Sequence, residues 1–157
     1  MAVEIERKFL VTGDSWKALA ERSSQLRQGY LSSNAKATVR VRTWDDARAA
    51  LTLKGQTSGI SRAEYEYEIP MADAREMLEM ADPHVVEKRR HVVHFGGMKW
   101  EIDVFEGRHS GLVLAEVELD SEDQELELPD WIGTEVTDDD RYFNASLSRS
   151  EGVPDKA

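Results

Sequence analysis

Two carboxylates and one amine stand at every second position near the start of the chain. Glu4, Glu6 and Lys8 alternate with residues such as Ile5 and continue into the apolar Phe9. Alternate residues of a β-strand point to the same face of a sheet, so the three polar side chains share one face. They form either the solvated face of an ordinary sheet or part of the lining of an enclosed polar cavity.

The same alternation recurs along the chain and predicts eight β-strands. Short segments rich in Gly, Asn, Asp and Ser separate them, so most neighbouring strands are expected to pair antiparallel. The predicted strands cover residues 2–11, 26–32, 36–44, 47–54, 61–70, 84–95, 98–106 and 112–120. Helices are predicted at 14–20, 72–80 and 138–147, and a helical turn is expected near 121–123. Each helix has one apolar stripe, which favours packing on the outer face of the sheet.

The charges on these strands are sorted by sign. Basic residues share the polar face of consecutive strands, whereas acidic residues occupy the last two strands. The basic set is Arg40, Arg42, Lys54 and Arg62, and the acidic set is Glu101, Asp103, Glu116 and Glu118. In the strand at 84–95, alternation leaves two choices open: either Lys88 and Arg90 or Glu87 and Arg89 share the polar face.

An open sheet with one solvated face and a closed barrel both fit this pattern. Two details favour the barrel. Eight strands tend to curl, and closure removes the sheet edges while leaving room for one small ligand. A solvated surface usually mixes the two signs of charge, whereas the acidic and basic residues of these strands are separated.

Clustered carboxylates suit Mg²⁺ or Mn²⁺ and clustered basic side chains suit phosphate, so together they indicate a metal-bound polyphosphate.

Composition limits the classes of function. The 157 residues suit a single domain over 1–157 and a soluble globular protein, with 40% hydrophobic and 32% charged residues. The net charge of −11 argues against binding to nucleic acid or to anionic membranes. No cysteine, leader-like segment or membrane-length apolar run is present, so we expect a cytoplasmic protein.

With these residues in view, the chain resembles the CYTH superfamily, or triphosphate tunnel metalloenzymes. The hallmark Glu-x-Glu-x-Lys corresponds to Glu4, Glu6 and Lys8, and further motifs follow in family order to about residue 147. They are Leu26 to Leu31, Val39 to Arg42, Leu51 to Gly55, Ser61 to Glu66, Val86 to Arg90, Trp100 to Phe105, Leu114 to Glu118 and Glu135 to Tyr142. The resemblance implies an α+β, mainly β fold: an eight-stranded antiparallel barrel that encloses a triphosphate.

The resemblance also implies a role for each motif residue. The metal ligands for Mg²⁺ or Mn²⁺ would be Glu4, Glu6, Glu116 and Glu118, with Asp103 and Glu64 as further acidic candidates. The phosphate-binding residues would be Lys8, Arg40, Arg42, Lys54, Arg62, Lys88 and Arg90, which places Lys88 and Arg90 on the inner face. Lys8 and Tyr30 would form a catalytic pair that orients or deprotonates water. Arg89 and residues 138–140 are expected outside the tunnel.

The predicted activity is metal-dependent hydrolysis of inorganic tripolyphosphate to pyrophosphate and phosphate, by a monomer or a homodimer. Tyr30 and the shortness of the chain favour this substrate. The alternatives are an adenylate cyclase, a thiamine triphosphatase, and a polyphosphate-binding module without turnover.

Overall fold

Nine antiparallel β-strands make up the sheet in the computed structural model, which describes residues 3–81 and 84–154. The strands are β1 (Val3–Val11), β2 (Ala20–Ser33), β3 (Ala37–Trp44), β4 (Arg48–Gly55), β5 (Ser61–Ile69), β6 (Val86–Phe95), β7 (Met98–Phe105), β8 (Val113–Glu118) and β9 (Ile132–Glu135). All eight predicted strands are therefore present. The ninth, β9, was not predicted, because four residues are too few to show alternation.

The first eight strands close into a barrel. Their order around the ring is β5-β4-β3-β2-β6-β7-β8-β1, and β1 returns to pair with β5. In this closing pair Val3 lies opposite Ala63 and Ile5 opposite Ser61. The short strand β9 pairs with β1 farther along, at Phe9 and Val11. The predicted eight-stranded antiparallel barrel is confirmed.

Strand β2 begins six residues before its predicted start. A helix was predicted at 14–20, and the structure has a 3-10 helix at Ser15–Leu19; Ala20 already belongs to the strand. The added part of β2 pairs with β6, where Ser23 lies opposite His91. It consists mostly of polar residues without alternation, and this pairing rather than local pattern makes it a strand.

The helix α1 (Met71–Glu79) confirms the prediction at 72–80 and packs on the outside of the barrel. Its buried Ala74 and Leu78 lie against Val41 and Ala49 of the sheet. Strand β2 passes so close to the C-terminal end of α1 that a Cβ at Gly29 would lie 2.5 Å from the Cβ of Ala81. Glycine at this position therefore allows the strand to approach the end of the helix.

The C-terminal segment, residues 136–150, closes one end of the barrel. A continuous helix was predicted at 138–147, but the structure has a 3-10 turn, Asp140–Tyr142, and a one-turn helix α2 (Asn144–Leu147). Tyr142 and Leu147 pack against Val86, Phe105 and Leu114. By strand alternation these three belong to the inward rows of Lys88, Asp103 and Glu116. The segment thus covers an apolar end of the interior instead of the outer face.

Aromatic packing on the outside of β1 and β7 holds the remaining chain in place. The buried Trp100 lies 5.8 Å from Phe9 and 5.5 Å from Trp131, measured between ring centroids. Residues 121–124 form a hydrogen-bonded turn, in which Gln124 N donates to Ser121 O, rather than a helical turn. None of the helices in the described residues is long and apolar enough to cross a membrane.

Replacing Gly29 with Ala should destabilise the protein. The added Cβ overlaps Ala81, and overpacking of this kind costs about 1–3 kcal/mol. We expect a lower denaturation midpoint in urea with an unchanged slope. The matched control is Gly55→Ala, whose added Cβ would meet Ala63 at an ordinary 3.4 Å. Equal midpoints for both variants would contradict the proposed close approach.

Candidate active site

The polar rows of the strands line the inside of the barrel, as the alternation predicted. Glu4 and Lys8 of β1, Arg40 and Arg42 of β3, and Glu116 of β8 are all buried although they are charged. Charged side chains are rarely buried without partners. The barrel therefore concentrates charge in a place that water reaches poorly.

Two adjoining cavities occupy the interior. The first, here called the basic cavity, has a volume of about 320 Å³ and lies toward the C-terminal segment, with Lys8, Tyr30 and Arg62 on its wall. The second, the acidic cavity, has a volume of about 220 Å³ and is lined by carboxylates such as Glu64 and Glu118. Five residues line both cavities: Glu4, Glu6, Arg40, Lys54 and Asn144. The shared wall makes them parts of one site.

Three arginines lie close together inside the barrel. Arg40, Arg42 and Arg90 all line the acidic cavity. Burial and the neighbouring charges of Arg40 and Arg90 lower the pKa of Arg42 to about 9. Burial is the larger cause, and the like charges of Arg40 and Arg90 add to it. A bound anion would offset these like charges.

Hydrogen bonding leaves part of this cluster unsatisfied. Arg42 Nε donates to Gln28 Oε1 at 2.8 Å, and an Arg40 Nη donates to Thr52 Oγ1 at 3.3 Å. The buried atoms Gln28 Nε2 and Arg40 Nε find no hydrogen-bond partner among the described residues. Buried donors are nearly always paired in native proteins, so Arg40 Nε, whose residue lines both cavities, is suited to an oxygen of a ligand or of water.

Three carboxylates form the opposite imbalance. Burial, together with the charges of Glu116 and Glu4, raises the pKa of Glu6 to about 7. Burial and the neighbouring Glu64 raise the pKa of Glu4, and burial with the charges of Glu4 and Glu6 raises that of Glu118. For Glu6 and Glu118, burial and like charges outweigh the nearby cations, and the pKa of Glu4 stays raised although Lys54 Nζ lies 2.7 Å from its Oε2.

This set fits a divalent metal ion. Oxygen ligands are those that Mg²⁺ and Mn²⁺ prefer, and Mg²⁺ is commonly held by one or two carboxylates together with water and substrate phosphates. Within residues 3–81 and 84–154, no three His, Asp or Glu side chains already stand at ligand spacing. The carboxylate donors present therefore suit an ion that completes its coordination with phosphate.

Asp103 and Glu116 belong to a different group of acids. Asp103 accepts from Arg90 Nε at 2.8 Å and Arg90 Nη2 at 2.9 Å, and its Oδ2 lies 2.6 Å from Lys88 Nζ. Burial alone would raise the pKa of Asp103, but the charges of Arg90 and Lys88 outweigh it and hold the pKa below its ordinary value. Lys8 and Arg90 likewise lower the pKa of Glu116 despite its burial. Both acids are already neutralised by basic side chains.

Asp103 is therefore placed to position Arg90 and Lys88 rather than to bind a metal. Lys88 lies inside the barrel, as the resemblance implied, but it is fully buried and lines neither cavity. Its Nζ donates to Asn144 Oδ1 at 3.1 Å in addition to its contact with Asp103. Of the predicted pair, Arg90 faces the cavity and Lys88 lies behind it.

Comparison with known proteins gives the family. A family model for the CYTH domain matches residues 2–148. The chain belongs to the CYTH domain family. An inorganic triphosphatase of Acetivibrio thermocellus is 48% identical over 151 residues, 96% of this chain and 96% of that protein. One from Nitrosomonas europaea is 38% identical over 150 residues, 94% of this chain and 97% of that protein.

A solved structure confirms the CYTH fold. The crystal structure of an inorganic triphosphatase, 36% identical in sequence, superposes with a TM-score of 0.68 and covers 94% of this chain and 98% of its own. The resemblance inferred from the motifs is confirmed over nearly the whole chain.

The predicted catalytic pair lies in the basic cavity of this CYTH barrel. Lys8 and Tyr30 both line it. Lys8 Nζ donates to the carbonyl oxygen of Tyr142 at 3.2 Å and lies 3.6 Å from Glu116 Oε1. Burial would lower the pKa of Lys8, but the charges of Glu116 and Glu6 outweigh it and raise the pKa above its ordinary value. Lys8 is therefore an ammonium at neutral pH.

The other predicted basic residues divide between the two cavities. Lys54 Nζ lies 2.7 Å from Glu4 Oε2 and 3.5 Å from Glu64 Oε2. Arg62 donates to the carbonyl oxygen of Gly55 at 2.7 Å and to Thr38 Oγ1 at 3.2 Å. Arg89 points out of the barrel to Ser23, as expected. Asp138, expected outside, instead lines the rim of the basic cavity.

The site also contains residues that the sequence analysis missed. Gln28 supports Arg42, and its position two residues before Tyr30 was a usable signal, since both share one face of β2. Trp44 also lines the acidic cavity, and it lies two residues after Arg42 on the same face of β3. Its ring centroid is 4.6 Å from the guanidinium of Arg48. Asn144 and Arg149 come from the C-terminal segment, and no local pattern predicts that this segment reaches the barrel.

Replacing Asp103 with Asn should distinguish positioning from metal binding. Removing one partner of a buried ion pair costs about 3–5 kcal/mol, so we expect a clear loss of stability. Thermal stabilisation by added Mn²⁺ should persist, because the carboxyl groups with raised pKa values, Glu4, Glu6 and Glu118, remain. Loss of the Mn²⁺ effect in a folded Asp103→Asn protein would show that Asp103 is a metal ligand after all.

Proposed function

We propose that this protein hydrolyses inorganic tripolyphosphate to pyrophosphate and phosphate with the help of Mg²⁺ or Mn²⁺. The proposal rests on two sets of buried charges that line the acidic cavity. Burial and the charges of Arg40 and Arg90 lower the pKa of Arg42, while burial and like charges raise the pKa values of Glu4 and Glu6. An anion beside Arg42 and a cation beside the two carboxylates would offset these effects. A metal-bound polyphosphate supplies both at once. The two inorganic triphosphatase relatives, 48% and 38% identical, support this choice of substrate.

The arginines would hold the phosphate groups. A guanidinium donates two parallel hydrogen bonds to a phosphate and stays charged throughout the pH range of the cell. Arg90 is fixed by its paired contacts with Asp103, and Arg42 by Gln28. Groups held in advance need little reorganisation when charge develops on the phosphates during bond cleavage. Such positioning and electrostatic stabilisation are the main source of catalysis in phosphoryl transfer.

Glu4, Glu6 and Glu118 are the residues suited to hold the metal. Once bound, a divalent ion neutralises charge on phosphate oxygens and makes a coordinated water more acidic. The carboxylates would hold the ion in the acidic cavity, which Arg40, Arg42 and Arg90 also line. Neutralisation by the ion would also return the pKa values of the carboxylates toward the ordinary range, so that all of them ionise.

Lys8 and Tyr30 are suited to positioning the phosphate and the water that attacks it. Because its raised pKa keeps Lys8 protonated, Lys8 would act as a fixed positive charge near the phosphate and not as the base. Tyr30 lines the same cavity and is almost fully buried, with 7% of its surface exposed. Its hydroxyl would orient the attacking water through a hydrogen bond, and the Lys8 ammonium would stabilise negative charge on the phosphate.

A substrate panel tests the activity. Purified protein would be incubated with tripolyphosphate, ATP or thiamine triphosphate, with Mg²⁺, Mn²⁺ or EDTA, and phosphate, pyrophosphate and cyclic AMP would be measured. We expect rapid metal-dependent release of phosphate from tripolyphosphate and much slower reaction of the two organic substrates. Preferred turnover of ATP or thiamine triphosphate would favour those alternatives, and binding without product would indicate a binding module.

Glu4→Gln and Arg42→Ala should fail in different ways. Glu4→Gln removes a charge suited to the metal and should abolish metal-dependent turnover. Arg42→Ala should mainly raise KM for tripolyphosphate by tenfold or more, since one charged phosphate contact contributes about 1.5–3 kcal/mol. Steady-state kinetics at several Mg²⁺ concentrations separate the two effects. The matched control for Glu4→Gln is Glu87→Gln, on the outer face of β6. Full activity in both Glu4→Gln and Arg42→Ala would refute the site.

Tyr30→Phe should lower kcat by at least tenfold while KM changes little. The substitution removes only the hydroxyl, so the barrel packing is retained and the loss reports on the orientation of water. The control is Tyr67→Phe on the outer surface, where 61% of the side chain is exposed. Equal kcat values for the two variants would remove Tyr30 from the mechanism.

A further inference from the structure

The C-terminal segment brings one more cation to the basic cavity. Arg149 lines this cavity together with Lys8, Arg40, Lys54 and Arg62. The other four cations come from strands of the barrel, and all four were predicted to bind phosphate. Arg149 follows α2 and belongs to no motif identified in the sequence.

The backbone on both sides of Arg149 is firmly anchored. Leu147 and Ser148 are fully buried, and Ser148 Oγ donates to the carbonyl oxygen of Ala145. On the other side, Ser150 Oγ is hydrogen-bonded to the buried His109 Nε2 at 3.0 Å. The amide of Arg149 itself donates to the carbonyl oxygen of Ser146. Arg149 therefore projects from a fixed position at the cavity wall, although its own side chain is exposed.

The charges around the cavity leave Arg149 available to a ligand. Lys8 and Lys54 on the same wall each face a carboxylate, at 3.6 Å from Glu116 and 2.7 Å from Glu4 respectively. In the part of the chain that the structure describes, no ion pair within 4 Å involves Arg149. An unpaired guanidinium at the wall of a basic cavity is suited to a phosphate oxygen.

We propose that Arg149 binds an outer phosphate group of the substrate at the C-terminal end of the tunnel, an inference that rests on the proposed function. The strand residues hold the phosphates nearest the metal, and Arg149 adds a contact farther along the chain of phosphates. This contact is present both before and during bond cleavage, so it contributes to affinity and not to the rate of the chemical step.

The experiment compares Arg149→Gln with Arg89→Gln. Both substitutions remove one positive charge from a protein of net charge −11, but Arg89 lies on the outer face. For Arg149→Gln we expect KM for tripolyphosphate to rise about tenfold, equivalent to roughly 1.4 kcal/mol, with kcat within about twofold of the wild type. Arg89→Gln should match the wild type, and Arg149→Lys should recover part of the affinity.

Calorimetric titration with tripolyphosphate in EDTA keeps this inference separate from the proposed activity. If the wild type binds tripolyphosphate but does not hydrolyse it, the proposed function fails, and the affinity of Arg149→Gln still tests the contact. A weaker affinity for Arg149→Gln than for Arg89→Gln supports the contact. Equal affinities, or equal KM values in an active enzyme, would overturn it, and thermal melts verify that both variants are folded.

Discussion

The closing pair between β1 and β5 is the constraint on which the site depends. Only residues Val3 to Ile5 of β1 take part, opposite Ser61 to Ala63 of β5, yet this contact turns an eight-stranded sheet into a ring. In an open sheet, Glu4 and Arg62 would be ordinary solvated charges. Closure sets them opposite each other and buries the charged rows, where an unpartnered charge is costly. The requirement for a ligand follows from closure.

The buried charges divide into two groups with different tasks. Asp103 and Glu116 neutralise Arg90, Lys88 and Lys8, and these contacts form a rigid framework. Glu6 and Arg42 stay unbalanced, and Glu4 keeps a raised pKa although it faces Lys54 at 2.7 Å. The neutralised group keeps the unbalanced group in place, so that a metal-bound polyphosphate meets charges already fixed in position. The C-terminal segment joins this framework through Asn144, which accepts a hydrogen bond from Lys88 at the end that the segment closes.

Much of this arrangement was readable in the sequence, because a period of two residues sorts side chains between the two faces of a strand. Alternation correctly placed Glu4, Arg42 and Glu116 inside. It did not show that β5 meets β1, nor that the polar start of β2 pairs with β6, since both depend on residues far apart in the chain. Alternation also cannot distinguish Arg90, on the cavity wall, from Lys88, hidden behind it. The position of Arg149 could not be predicted either, because it depends on where the C-terminal segment contacts the barrel.

A crystal structure of the slow Tyr30→Phe variant, soaked with Mn²⁺ and tripolyphosphate, would locate both ligands. We expect an anomalous manganese peak beside Glu4 and Glu6 and phosphate density against Arg40, Arg42 and Arg90, inside the barrel. Manganese bound elsewhere, or tripolyphosphate held only on the outer surface, would refute the proposed site.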